Sequence, residues 1–330
     1  MNRGMNRGMT GLRLGSFVAL LAVGMAAPVH AQTKPPQPAP KAAPAADADV
    51  DVMFGAFQRG AYLTALAEAT KRAQQNDAKA MTMLGELYSQ GLGVGRDDSK
   101  AAQWYKLAAA QGDRDAIFAL AMFNFEGRAG QRNTADGARL LDAAAKLGHP
   151  AAAYDLGLLY LQGTQVPQDF KHAAELFAQA AEAGNPEAQY ALATMYKEGS
   201  GVAKDAAKAM QMMGLASVAG NLDSMVEYAI AQFNGDGVAK DEAAAARLFL
   251  IAARRGSAIA QNRLARILMA GRGAPANATE AVKWHLIAKA GGAGDPDLDA
   301  FAGKQTPAVQ EAAKTAANKW LSTQTMQQPQ

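Results

Sequence analysis

Residues 80–113 read AMTMLGELYSQGLGVGRDDSKAAQWYKLAAAQGD, and this stretch decides the fold. Its first half places residues at i, i+4, i+7, i+8 and i+11, the spacing of one stripe of an α-helix: Ala80, Leu84, Leu87, Tyr88 and Gly91. Glycine adopts the left-handed conformation beyond a helix C-terminus at little cost, so Gly91 is expected to end this helix. Asp98 or Ser99 is placed to cap a second helix. The stripe of that helix comprises Ala101, Trp104, Tyr105, Ala108 and Ala109. The stretch therefore predicts a helical hairpin.

The hairpin recurs every 36 residues without an insertion or deletion. Two glycine columns keep this period: Gly91, Gly127, Gly163, Gly199, Gly235 and Gly271, and Gly112, Gly148, Gly184, Gly220, Gly256 and Gly292. An alanine column keeps it as well: Ala108, Ala144, Ala180, Ala216, Ala252 and Ala288. Self-similarity at this period indicates a stacked array. A single hairpin cannot cover its own apolar stripe, so each unit needs its neighbours. We predict six units over residues 77–292.

This pattern resembles the Sel-1-like repeat, an α/α relative of the tetratricopeptide repeat. The glycine-rich turn recurs as Gly199-Ser200-Gly201-Val202 in the fourth unit, and the fifth unit has the equivalent turn. The second unit matches least well, because Asn124 replaces the tyrosine of the first helix. The resemblance covers most of the chain. It implies an all-α fold, an α/α solenoid in which helical hairpins form a right-handed superhelix with capping helices at its ends.

The N-terminal segment is typical of a bacterial secretion signal. Arg3, Arg7 and Arg13 precede a short apolar stretch, and small residues lead to a cleavage site at Ala31. An uncleaved anchor is the alternative, but the stretch is shorter than the roughly 20 apolar residues that span a bilayer. We therefore predict a signal peptide over residues 1–31 and a periplasmic or secreted protein.

The other segments outside the array also have expected roles. A Pro/Ala-rich composition predicts a disordered linker over residues 32–51. Residues 52–76 keep part of the repeat pattern and are expected to form a degenerate half-repeat that caps the N-terminal end. Asp295-Pro296 and Thr306-Pro307 are helix-start signals. They predict C-terminal capping helices over residues 293–322, followed by a disordered tail over residues 323–330.

Composition excludes several classes of function. The chain has 330 residues, no cysteine and a formal charge of +3, and all of the positive excess lies in the first 31 residues. The rest is electrically balanced, so it lacks the basic patch that a nucleic-acid partner requires. The absence of cysteine excludes disulfides, thiolate metal sites and a cysteine nucleophile.

No motif for catalysis, a metal or a cofactor emerges. The Gly91–Gly95 run follows a helix rather than a strand, so it is a repeat turn and not a phosphate loop. The Asp295–Asp299 run lacks the glycine and the final glutamate of a calcium loop. The histidines that follow the signal segment have no nucleophile at a suitable spacing and are expected at the surface: His149, His172 and His285. We therefore predict no enzymatic activity, no cofactor and no metal.

One face of the first helices is the candidate for binding. We call it the first-helix face and define it by residues 79, 82, 86, 89 and 90 and their equivalents at each step of 36. By resemblance to tetratricopeptide arrays, this face lines a concave groove. Its apolar members are the predicted partner-binding residues: Phe118, Met122, Phe125, Tyr154, Leu158, Leu161, Tyr190, Ile230 and Phe233. An exposed apolar stripe suits a helix or an extended peptide. Packing between adjacent units stays open as an equal alternative for Phe118, Tyr154 and Tyr190.

The function expected from these features is a non-enzymatic exported scaffold or adaptor that binds a protein or peptide in this groove. Relatives that it resembles include periplasmic proteins that regulate envelope signalling and exopolysaccharide synthesis. Binding of cell wall or glycan is the alternative, although the tryptophans are few and scattered. Hydrolysis of β-lactams is a further alternative. It is known in cysteine-rich relatives, and this chain has neither cysteines nor a Ser-x-x-Lys motif after the signal segment.

Overall fold

The computed structural model describes residues 52–128 and 130–326, which form sixteen α-helices and no strand. This confirms the predicted all-α solenoid of repeated hairpins. The predicted signal peptide and linker, residues 1–51, lie outside the described residues, as does the end of the predicted tail, residues 327–330.

Each repeat unit contributes a first and a second helix, and all twelve helices have 13 residues. The first helices are α3 (Ala78–Gln90), α5 (Arg114–Glu126), α7 (Pro150–Gln162), α9 (Pro186–Glu198), α11 (Leu222–Asn234) and α13 (Ala258–Ala270). The second helices are α4 (Asp98–Ala110), α6 (Thr134–Lys146), α8 (Phe170–Glu182), α10 (Ala206–Val218), α12 (Glu242–Arg254) and α14 (Ala278–Ala290). The flanking helices are α1 (Val52–Gln58), α2 (Tyr62–Ala73), α15 (Pro296–Gly303) and α16 (Pro307–Met326).

A polar side chain caps the N-terminus of each of these twelve helices by accepting a backbone N–H of the first turn. The caps of the first helices are Asp77, Asp113, His149, Asn185, Asn221 and Ser257. The caps of the second helices are Asp97, Asn133, Asp169, Asp205, Asp241 and Asn277. The sequence prediction of Asp98 or Ser99 as the cap of α4 is wrong. Asp97 Oδ1 accepts the N–H of Lys100 at 2.9 Å, while Asp98 is already the first helical residue.

Glycine permits the closest approach between the two helices of a unit. A Cβ at Gly157 would lie 2.7 Å from the Phe177 ring, and one at Gly85 would lie 2.4 Å from the Tyr105 ring. Phe177 and Tyr105 are buried on the second helices. The missing side chain on α7 and on α3 therefore makes room for an aromatic ring on the facing helix.

Stacking of the helices buries the interior of the array. From α1 to α14, each helix packs against the next one in the chain. The alanine column predicted from the sequence is fully buried, as at Ala108, Ala144 and Ala180. Small residues at these positions let backbones of successive helices approach closely. The core therefore lies between the first and second helices. The first-helix face is on the side of the first helices that points away from this core.

Additional helices cover both ends of the array. At the N-terminal end α1 packs on α2, and α2 packs on α3. At the C-terminal end α16 packs on α14, where the Trp320 ring meets the Trp284 ring edge-on with 6.1 Å between centroids. Helix α16 continues to Met326, beyond the predicted end of the capping helices at residue 322, so the first part of the predicted tail is helical. Within residues 52–128 and 130–326, no helix combines the length and the apolar content needed to cross a lipid bilayer.

Candidate binding surface

Residue 82 and two of its equivalents, Phe118 and Asn262, contact a residue that caps a following helix. The Thr82 hydroxyl donates to Asp113 at 3.1 Å, and the Asn262 amide donates to Asp295 at 3.1 Å. The Phe118 ring stacks on His149 with 4.3 Å between centroids. Asp113, His149 and Asp295 are all helix caps. This position therefore joins successive units, while its outer edge contributes to the first-helix face.

The His149 cap is tuned by its surroundings. Its Nδ1 accepts the N–H of Ala152 at 3.1 Å, a role that requires an unprotonated Nδ1. Burial lowers the pKa of His149, although Asp115, at 3.7 Å from Nε2, acts in the opposite direction. The Phe118 ring covers the imidazole and contributes to that burial. The histidine is thus a neutral structural cap.

The nine predicted partner-binding residues fall into two groups. The three from the third unit are buried, each retaining 7–8% of its exposed surface, and belong largely to the core: Tyr154, Leu158 and Leu161. The other six are half-buried and keep an edge in solvent: Phe118, Met122, Phe125, Tyr190, Ile230 and Phe233. Phe125 also packs inwards, because a Cβ at Gly137 of α6 would lie 2.8 Å from its ring. The structure brings these residues to one series of helices but not to one unbroken exposed stripe.

Charged side chains lie among these apolar residues on the first helices. The Tyr190 hydroxyl donates to Glu227 at 2.9 Å, and Lys197 Nζ pairs with the same carboxylate at 2.9 Å. These two contacts join the fourth and fifth units. By contrast, Asp155 in the third unit has no hydrogen bond or ion pair with any described residue. Burial raises its pKa to about 7.

At the C-terminal end of the face, a cavity of about 300 Å³ opens between α11 and α13. Ile230, Phe233 and Met269 contribute apolar surface, and three arginines lie around it: Arg263, Arg266 and Arg272. Ile230 and Phe233 were predicted from the sequence, but Arg263 was not, because residue 83 and its equivalents were not included in the face. Arg272 was not predicted because it follows the helix. The signal available in the sequence was the pair of arginines within α13, because Arg114 is the only arginine in the other five first helices.

The buried side of the sixth unit contains a histidine that the sequence analysis placed wrongly. His285 is 1% exposed and lies within the core, not at the surface. Its Nε2 is 2.8 Å from Asp299, which also receives Lys289. It faces no serine or other nucleophile in these contacts. Among the described residues, no three His, Asp or Glu side chains lie close enough together to hold a metal ion.

Comparison with known proteins agrees with this architecture. The family model described as Sel1 repeat matches six consecutive segments: residues 78–113, 114–149, 150–185, 186–221, 222–257 and 258–292. The fold is similar to the crystal structure of a Sel1 repeat protein from Oxalobacter formigenes, with 28% identity, a TM-score of 0.65, and coverage of 73% of this chain and 99% of that one. It is also similar to c5321, a protective antigen of uropathogenic Escherichia coli strains with an SLR fold. That match has 25% identity, a TM-score of 0.52, and coverage of 82% of this chain and 68% of that one. No functionally curated protein was found to match.

Proposed function

Since the chain belongs to the Sel1 repeat family, we propose that it is a non-catalytic adaptor that binds a protein or peptide along its first-helix face. Sel1 repeats form scaffolds suited to protein–protein interaction. The observation that carries the proposal is the half-buried apolar set on α5, α9 and α11. These side chains keep solvent-exposed edges although the core beneath them is already closed. Apolar edges beside Glu227 and Lys197 provide both burial and hydrogen bonding for a docked segment.

We further propose that the protein acts outside the cytoplasm, in the periplasm or beyond it. The support is the arginine-rich start, the short apolar stretch and the cleavage site at Ala31 in the sequence. In that compartment the adaptor would act on an envelope signalling or exopolysaccharide pathway. The lack of cysteine removes any dependence of this fold on oxidation.

The test uses two half-buried residues of this face, Met122 and Ile230. We expect the double variant Met122→Ser and Ile230→Ser to lose at least tenfold in partner affinity, because each change removes apolar contact area at about 25 cal/mol per Å². Photo-crosslinking from Thr194, between these two units, identifies the partner in the native host, and titration of that purified partner measures the affinity.

The matched control is the double variant Leu215→Ser and Val218→Ser. Both side chains are exposed on α10, a second helix, so equal apolar loss occurs away from the face. Unchanged helicity in both variants excludes unfolding. If the control lost affinity and the Met122 and Ile230 variant kept it, the partner would bind the opposite side of the array and the proposal would be wrong.

A further inference from the structure

We propose that the cavity between α11 and α13 is a specific subsite for an acidic, apolar peptide segment, one that presents a carboxylate next to an apolar side chain. This inference rests on the proposed function and identifies the chemistry of the ligand at one end of the face. It is carried by the apolar floor of the cavity and by the state of its three arginines.

The cavity offers an apolar floor at the bottom of an open cleft. Ile230 and Phe233 come from α11, while Ile267 and Met269 come from α13. Phe233 is held in place from one side, because the Arg272 guanidinium lies 4.8 Å from the centre of its ring. A volume of about 300 Å³ is at the lower end of the range for ligand pockets and accommodates one or two side chains rather than a large cofactor.

Two of the three arginines are already paired within the protein. Arg266 Nε donates to Asp295 at 2.6 Å, and its second contact is to Asp297 at 3.3 Å. Arg272 pairs with Glu242 of the fifth unit. These acids neutralise the guanidinium groups of Arg266 and Arg272 and fix their positions. The two arginines therefore form part of the cavity wall, and some of their N–H groups have no partner among the described residues.

Arg263 is different. It lines the cavity, its side chain is exposed, and it has no hydrogen bond or ion pair with any described residue. The site therefore carries one uncompensated positive charge beside an apolar floor. A guanidinium binds a carboxylate through two parallel hydrogen bonds, and a flanking apolar side chain then fills the floor. A single net charge suits one carboxylate better than a nucleic-acid backbone, which needs a row of cations.

The experiment uses the purified protein and fluorescent short peptides in matched pairs. Each pair shares a Leu or Phe and differs only in Asp or Asn at the adjacent position. We expect the wild type to prefer the Asp peptide by about tenfold, the value of one charge-assisted contact. The Arg263→Ala variant should lose that preference and bind both peptides equally. Arg247→Ala is the matched control, since Arg247 is an exposed arginine of α12 that does not line the cavity.

Three results would overturn the subsite. The first is an equal loss of preference in the Arg247 and Arg263 variants, which would mean that only overall charge matters. The second is an Arg263→Ala variant that keeps the full preference, and the third is a wild type that does not prefer Asp. Each of these results leaves the adaptor function intact if the Met122 and Ile230 variant still releases the crosslinked partner. If only the adaptor proposal were wrong, the wild type would still prefer the Asp peptide, and the Met122 and Ile230 variant would bind the crosslinked partner as tightly as the wild type.

Discussion

The third and the sixth units have the same helix lengths, yet they place opposite groups on and beside the first-helix face. At the position of residue 83, the third unit has Asp155 and the sixth has Arg263, and neither has a charged partner among the described residues. At the position of residue 86, buried Leu158 corresponds to the paired Arg266. The repeat therefore fixes the scaffold through its buried columns, while the face is free to vary from an apolar, acidic centre to a basic end.

The core of the third unit should be the most sensitive place to break this comparison. Phe177→Ala removes a fully buried ring that covers Gly157, and we expect a loss of about 3–5 kcal/mol in the free energy of unfolding. Urea denaturation followed by circular dichroism measures the loss. Phe170→Ala on the same helix is the control, because Phe170 keeps 37% of its surface exposed and should cost clearly less stability than Phe177. Equal losses from both variants would mean that the Gly157 contact does not organise the unit.

The end of the sixth unit should show a smaller, local effect. Asp295 caps α15 and also accepts Arg266 and Asn262. Burial opposes ionisation of Asp295, but the hydrogen bonds from Arg266 and Asn262 outweigh it and hold the pKa below the usual range. Asp295→Ala should cost about 1–2 kcal/mol through the lost cap and increase amide exchange in α15.

The control for this change is Asp297→Ala, because Asp297 is exposed and makes only the longer contact to Arg266. Exchange in α15 that responds equally to both substitutions would show that general negative charge, rather than the cap, stabilises this end. The lowered pKa has a defined sign. The contribution of Asp295 to stability is present above the pKa of the unfolded chain and is lost as the pH falls through the folded pKa.

The smallest expected effect concerns Asp155. Burial raises its pKa to about 7, so the folded state holds a proton that the unfolded chain releases near pH 4. Stability should therefore fall as the pH rises between these two values, by an amount on the order of 1 kcal/mol because Asp155 keeps part of its surface in water. Asp155→Asn should remove this slope in urea denaturation between about pH 4 and 7, the range between the two pKa values. The exposed residue Glu182 provides the control variant Glu182→Gln, and a slope that persists in Asp155→Asn would contradict the assignment.

Much of the fold could be predicted from the sequence because its signals are local. The C-terminal glycines, such as Gly91 at φ 71°, adopt the left-handed conformation that the pattern indicates. The cap of α4 was wrong by one residue, because the choice between Asp97 and Asp98 depends on which carboxylate reaches a backbone N–H. Helix α16 was predicted too short, because its end depends on packing against α14 rather than on a stop signal.

The candidate surface could be predicted less well because it depends on neighbours. Helical periodicity put Leu158 and Phe118 on the same face, but it could not show that Leu158 is buried and that the His149 ring covers Phe118. Arg263 was missed for the same reason. Its significance comes from lacking an acid nearby, whereas Arg266 has Asp295, and only a three-dimensional arrangement distinguishes the two.

The link from residue 82 to the cap of the following unit has an evolutionary consequence. Thr82 with Asp113, Phe118 with His149, and Asn262 with Asp295 are pairs in which one member lies in a first helix and the other caps a later helix. A duplication or recombination breakpoint between the two members separates such a pair, leaving a stacking ring beside a hydroxyl or a carboxylate beside a phenyl group. Whole repeats are thus not freely interchangeable modules. The array gains or loses them most readily in runs whose junctions restore a compatible pair.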